Sequence, residues 1–267
     1  MIEPFTQPFM LRALAAASVA GFLLPLIGSF IVPKKLSLLG DSSSHFTFAA
    51  LAIGALAGFF SIFLAYLMAV VAVLSSLKLI RGLKVSGDQV LAIFLSLGAA
   101  VASVALSLGA RINLNSVLFG SILVVEPEEI LAGLAVAVLA GLFTKLRFGE
   151  IILFTVNEEL ARVRGVPVSL YELILAVVAG LSIVSGIKIA GVLLVTALMV
   201  IPTTSTSFLA SSMKQAIIFS ILVGQLSLIT GVVASYYLNI APGAITVFIL
   251  LGFLTASVVY ARLGVRL

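Results

Sequence analysis

Residues 215–238 read QAIIFSILVGQLSLITGVVASYYL and residues 242–261 read PGAITVFILLGFLTASVVYA, with no charged side chain between Lys214 and Arg262. Each run has about the 20 residues that an α-helix needs to cross the ~30 Å hydrocarbon core of a bilayer. A backbone in lipid must satisfy its polar groups internally, so such runs read as membrane-spanning helices. The pattern recurs outward from this pair. Further spans are expected near 10–32, 42–59, 60–80, 88–109, 128–146, 169–187 and 189–208, which makes about nine in all. The stretch 42–80 is too long for one helix and slightly short for two. Gly58, Phe59, Phe60 and Ser61 supply a soft turn that divides it.

Composition agrees. Of 267 residues, 62% are hydrophobic and 9% charged, and the mean hydropathy is +1.34. Soluble domains carry about 25% charged residues, so this chain cannot clothe a water-facing surface, and a disordered chain is excluded as well. Nine spans leave only short loops. The chain is therefore read as a single transmembrane domain, residues 1–267, with no soluble nucleotide-binding or catalytic unit. The start, MIEPFTQPF, has no basic n-region and runs into a full apolar span, which reads as retained and not cleaved.

The net charge is +5, but the basic residues sit singly or in pairs between apolar runs. That pattern orients helices and does not bind nucleic acid. With the 147–168 loop in the cytoplasm, all Lys and Arg except Arg12, Arg111 and Lys188 fall inside. The N-terminus is then outside and the C-terminus inside.

Much chemistry is missing. The chain has no Cys, which removes disulfides, thiolate metal sites and thiol catalysis. The nearest approach to a phosphate loop, Gly82-Leu83-Lys84-Val85-Ser86-Gly87, continues with Asp88 and Gln89 where Lys and Ser/Thr are required. There is no HExxH and no GxSxG. A membrane-embedded hydrolase has no evident nucleophile or metal here, and any ATP that drives the protein is handled by a separate chain.

Three polar stretches interrupt the apolar background. The first, Gly40-Asp41-Ser42-Ser43-Ser44-His45, opens the second span and contains the only histidine. Asp41 and His45 are i and i+4, hence on one helix face. Two readings stand: Asp41 caps the helix while His45 bonds in its first turn, or both are intramembrane polar residues with a function. Gly54 and Gly58 form a GxxxG pair suited to close helix contact, which lies roughly opposite His45 around the helix. His45 is expected to face away from that contact.

The second stretch runs from Ala190 through Ile201-Pro202 into Thr203-Thr204-Ser205-Thr206. The proline is expected to end or kink the helix, and the hydroxyls to cap a short one after it. The third, Glu126-Pro127-Glu128-Glu129, closes the longest outside segment, which includes Asn113, Asn115 and Ser116. It reads as a helix first turn or as an electrostatic lure for cations.

Four motifs in order carry a family resemblance. They are Leu36-Ser37-Leu38-Leu39-Gly40-Asp41 with Ser44-His45; Asn157-Glu158-Glu159-Leu160-Ala161-Arg162-Val163-Arg164-Gly165-Val166-Pro167; Gly191-Val192-Leu193-Leu194-Val195 through Ile201-Pro202; and Ser235-Tyr236-Tyr237-Leu238 with Pro242-Gly243-Ala244. With them the chain resembles the permease subunits of the zinc/manganese/iron ABC importers. Glu159-Leu160-Ala161 with Gly165 also resembles the Glu-Ala-Ala…Gly signature of ABC permeases. The sequence departs from the family at Phe46, where a small residue usually follows Ser-His, and at Lys214, where arginine is usual.

The resemblance implies an all-α, polytopic membrane helical bundle of about nine transmembrane helices, like the type II (cobalamin-type) importer permeases. It implies a homodimer of permeases, cytoplasmic ABC ATPase subunits that hydrolyse ATP, and an extracytoplasmic metal-binding protein, all at a prokaryotic inner membrane. This chain is then not an enzyme and holds no stable cofactor; it passes a divalent metal, zinc or manganese or else iron. Asp41 and His45 are the implied transient metal ligands. Thr203, Thr204, Ser205, Ser207 and Phe208, within a docking helix over about Thr203–Lys214, are the implied ATPase contact. Glu159, Ala161, Arg162 and Gly165 form the second contact. The competing class is a secondary, ion-gradient-driven metal transporter. Such proteins usually bury several ionisable residues, and only Asp41 and His45 qualify.

Overall fold

A computed structural model describes residues 7–58, 62–82, 85–111 and 125–263. Among the described residues there are helices and no strand. In chain order they are α1 (Pro8–Ile31), α2 (Leu39–Leu56), α3 (Ile62–Gly82), α4 (Gly87–Ser107), α5 (Pro127–Leu146), α6 (Phe148–Val156), α7 (Glu158–Val163), α8 (Val168–Ala190), α9 (Val192–Ser207), α10 (Met213–Leu238) and α11 (Pro242–Arg262). Asn113, Asn115, Ser116, Phe59, Phe60 and Ser61 lie outside the described residues.

Among the described residues, seven helices are long and apolar enough to cross a bilayer: α1, α3, α4, α5, α8, α10 and α11. The two expected spans that fall short have identifiable causes. The 18 residues of α2 include its polar opening, Gly40 to His45. The expected span 189–208 is cut at Gly191, whose φ of 83° and ψ of 160° lie in a region that essentially only glycine occupies. Ile189 and Ala190 therefore end α8, and α9 keeps 16 residues, about 24 Å of helix.

The 42–80 stretch is two helices, α2 and α3. Gly58 does not pack against a neighbour as the GxxxG reading expected. It sits past the end of α2 with φ of 78° and nothing within 4 Å of where its Cβ would be. A left-handed residue cannot continue a helix, so this glycine stops α2. Ser86 and Gln89 form a capping box at the start of α4; Leu83 and Lys84 of the looked-for phosphate loop lie outside the described residues. Ser86 Oγ accepts from Gln89 N–H at 3.4 Å, and Gln89 Oε1 accepts from Ser86 N–H at 3.2 Å. Glu126 and Glu129 form a second capping box, at the start of α5. Glu129 also pairs with Lys188 at 3.1 Å, which favours the first-turn reading over a cation lure.

The first helix lies at the centre: 78% of its most apolar stretch is buried, against 17% for α11. Lipid tails are as apolar as leucine, so helices associate in a membrane through close packing and not through expulsion of water. Small residues on α1 permit that closeness. Ala13, Ala16, Ala17 and Ala20 are fully buried. A Cβ on Gly21 would stand 3.0 Å from Gln225 Cα of α10, and one on Gly28 would stand 1.9 Å from the Met199 carbonyl oxygen of α9. Pro25, which lacks a ladder N–H, packs its ring on Gly224 of α10, where a Cβ would come within 2.3 Å. Gln225 Nε2 donates to the Ser18 carbonyl at 2.8 Å and ties the same two helices.

Gly28→Ala therefore forces backbone apart, and overpacking of this kind costs roughly 1–3 kcal/mol. Thermal unfolding of the purified protein in detergent should show a lowered midpoint for this variant. Gly252→Ala on α11, where an added Cβ meets nothing within 4 Å, should leave the midpoint unchanged.

Candidate functional site

The chain leaves α1 through a tight turn in which Lys35 adopts a left-handed φ of 59° and Leu36 N–H bonds back to the Ile31 carbonyl at 3.3 Å. It enters α2 at Leu39, with Leu38 as N-cap and no side-chain cap bond. Asp41 is thus inside the first turn and is not the cap. Its carboxylate turns to another helix: Oδ1 accepts from Thr196 Oγ1 of α9 at 2.5 Å. One turn further on, His45 is half-buried, and its Nδ1 has no hydrogen-bond partner among the described residues. Ser43 and Ser44 are fully buried, and their hydroxyl oxygens have no partner there either.

A glycine from a neighbouring helix also meets α2. The glycine that approaches it closely is Gly98 of α4, whose Cβ would lie 2.9 Å from the His45 carbonyl carbon and the Phe46 nitrogen. The His45 backbone is therefore at a close α2–α4 contact. Phe46 packs its ring on Phe94 of α4 at 5.3 Å between centroids, so the bulky residue is accommodated between helices. Asp41 and His45 remain on one face. A carboxylate and an imidazole are acceptable ligands for several divalent metals. Among the described residues no group of three or more His, Asp or Glu comes together, so one chain brings two such ligands and not a closed site.

At the other end of α9, Pro202 lies inside a continuous helix. No separate helix spans Thr203–Lys214: α9 ends at Ser207 and α10 begins at Met213. The hydroxyls hold the helix together where a cap was expected. Thr203 donates to the Met199 carbonyl at 3.1 Å and Ser205 to the Ile201 carbonyl at 2.8 Å. Both residues are buried, as is Thr206, whose hydroxyl meets Ser220 Oγ at 2.8 Å. Thr204 is half-buried, and Ser207 and Phe208 are exposed at the tip.

The 147–168 loop forms two short helices. Asn157 Oδ1 accepts from Leu160 N–H at 2.9 Å and caps α7, and Gly165, at φ of 78°, closes it. Ala161 is fully buried beneath α7, while Glu159, Leu160, Arg162, Val163 and Gly165 face outward. Behind this helix lies a charged cluster that sequence reading missed. Lys34 Nζ is 2.5 Å from Glu158 Oε1 and 3.8 Å from the centre of the Phe154 ring. Arg81 reaches Glu158 Oε2 at 3.3 Å and pairs with Glu172 of α8. These residues line a cavity of about 390 Å³. Burial holds the Lys34 ammonium below its ordinary pKa despite the neighbouring carboxylate. Burial pushes Glu158 up, but the Lys34 hydrogen bond and charge outweigh that and hold it below the usual carboxylate range. The one available signal was Glu172, an acidic residue within an otherwise apolar span.

Breaking the pair tests the cluster. Glu158→Gln should destabilise the protein by roughly 1–3 kcal/mol, because Lys34 is left buried without its counter-charge while Glu158 itself is partly exposed. Lys34→Met combined with Glu158→Gln should recover most of that loss in a double-mutant cycle read by thermal unfolding.

Known proteins match this arrangement along its length. The profile of the ABC 3 transport family covers residues 6–261. The high-affinity zinc uptake system membrane protein ZnuB of Buchnera aphidicola subsp. Schizaphis graminum is 34% identical, over 83% of this chain and 88% of its own. The manganese import system permease protein ScaB of Streptococcus gordonii is 27% identical, over 91% and 90%. The structure of PsaBC from Streptococcus pneumoniae, solved with a Fab, superposes with a TM-score of 0.84 at 25% identity, covering 96% of this chain and 95% of that one.

Proposed function

This chain belongs to the ABC 3 transport family, and we propose that it is the membrane-spanning permease subunit of an ATP-driven divalent metal importer carrying zinc or manganese, or else iron. The observation that carries the reading is the Asp41–His45 pair. Both sit on one face of α2, Asp41 is not spent on capping, and the family match surrounds them. ATP hydrolysis belongs to a separate cytoplasmic subunit, since this sequence has no phosphate loop of its own. An extracytoplasmic binding protein delivers the metal.

Two copies of the chain pair about a two-fold axis, in a bundle of nine spans each that is akin to the type II importer permeases. In this arrangement α2 and α9 cross or line the membrane although each falls short of the span criterion alone. The α2 faces of the two protomers together supply two Asp and two His. That is enough for a transient four-ligand station, and weak binding suits conduction, which requires release as well as capture.

The ATPase docks on the cytoplasmic side at two places. One is the exposed tip of α9, Ser207 and Phe208 with Thr204, which buried Thr203 and Ser205 hold in shape. The other is α7, where Glu159 and Arg162 face outward and Ala161 and Gly165 fix the helix from beneath and behind. The N-terminus is outside and the C-terminus inside.

Asp41→Asn keeps an acceptor for Thr196 and removes the charge; His45→Gln keeps a polar group and removes the imidazole. Both variants should assemble with the ATPase yet lose metal uptake in proteoliposomes, and normal uptake by both contradicts the metal station. Omitting the ATPase should abolish uptake by the unaltered protein; gradient-driven uptake without it would favour a secondary transporter. Cross-linkers placed at Ser207 and Arg162 should capture the ATPase subunit, and a reporter fused after Leu267 should read cytoplasmic.

A further inference from the structure

Hydroxyls on these helices mostly satisfy themselves locally. Ser18, Ser29, Thr47, Ser76, Thr155 and Thr246 each donate to the carbonyl four residues back in their own helix, the usual recourse of a hydroxyl in an apolar helix. Thr196 departs from this habit. Its proton goes across to Asp41 Oδ1 of α2, at 2.5 Å.

The packing is arranged for that bond. A Cβ on Gly40 would stand 3.0 Å from Thr196 Oγ1 and 3.3 Å from Met199 Sδ. Glycine immediately before Asp41 is therefore what lets α9 approach. α9 is also held against Gly28 of α1 through the Met199 backbone. Thr196 is thus fixed by two close helix contacts and aimed at one oxygen of the carboxylate.

We propose that Thr196 is the positioning residue of the metal pathway: it anchors Asp41 Oδ1 and so presents Oδ2 to an ion shared with His45. This rests on the reading of Asp41 and His45 as pathway ligands. Hydrogen-bond partners of ligating groups orient them, and their loss typically costs 10–100-fold in metal affinity or activity. α9 also bears Ser207 at its exposed tip, eleven residues and about 16 Å along the same continuous helix, so that tip and the Asp41 anchor share one element.

Two variants separate the hydroxyl from the shape. Thr196→Val keeps the branched side chain and removes the donor; Thr196→Ser keeps the donor and removes a methyl group. Each is reconstituted as the whole transporter, with ATPase and binding protein, in proteoliposomes. Manganese and zinc uptake and ATP turnover are then measured side by side. Thr196→Val should cut metal uptake at least tenfold while ATP turnover stays near the unaltered rate, and Thr196→Ser should restore uptake. Normal uptake by Thr196→Val beside a dead Asp41→Asn overturns the positioning role and leaves the pathway reading intact. So does the reverse pattern, in which Ser fails and Val succeeds, since that marks a packing role. Normal uptake by Asp41→Asn overturns both together.

Discussion

The rest of the bundle depends on how closely α9 lies against α1 at Gly28. The Met199 carbonyl occupies the place that any side chain at position 28 would need, so the two backbones touch. In lipid no water is expelled when helices meet, and fit between surfaces decides their positions. With α9 seated there, Met199 and Thr196, nearly one turn apart, face Gly40 and Asp41 on α2. One helix thus meets two glycines, Gly28 and Gly40, and Thr196 on it bonds the Asp41 carboxylate. Gly21 and Gly224, with Pro25 between them, bring α10 against the same central helix by the same means.

Polar groups inside such a bundle either bond within their own helix or mark a place where two helices are tied. The first kind is common here and carries little information. The second kind includes Thr196 with Asp41, Thr206 with Ser220, Gln225 with the Ser18 carbonyl, and Tyr66 with Ser185 at 3.2 Å. Each replaces water that the surroundings do not offer. Against that background the opening of α2 stands out. Ser43 Oγ, Ser44 Oγ and His45 Nδ1 are buried without partners among the described residues. Leaving a polar atom unsatisfied costs about 1–3 kcal/mol.

At the opposite end of the turn that feeds α2, Lys34 is tied to Glu158 at the start of α7. Arg81 at the end of α3 and Glu172 of α8 complete the group. The outward face of α7 is thereby braced against the same 32–38 turn that sets where α2 begins. The ammonium is buried with an aromatic ring beneath it, which makes the link firmer than a solvent-exposed pair of the same length.

Composition and run length by themselves determined the class of this protein. Charge at 9% and repeated apolar runs admit only a helical membrane protein, because lipid tolerates no unpaired backbone. The motifs placed it among metal importer permeases and singled out Asp41 and His45 through rarity and i,i+4 spacing. The boundaries of most helices followed from the same signals, as at Pro127 and Pro242. Gly58 misled, because a GxxxG spacing is the same whether the second glycine packs in a seam or ends a helix. The hydroxyls after Pro202 misled in a similar way, since a cap and a bond back to the preceding turn use the same residues. Tertiary structure alone decided that Gly98 meets α2, that Lys34 pairs with Glu158 across 124 residues, and that Thr196 holds Asp41 across 155. Sequence patterns report which face of a helix is apolar, but in a membrane nearly every face is. Which faces touch is settled by the fit of small residues against backbone in three dimensions, and no period along the chain records it.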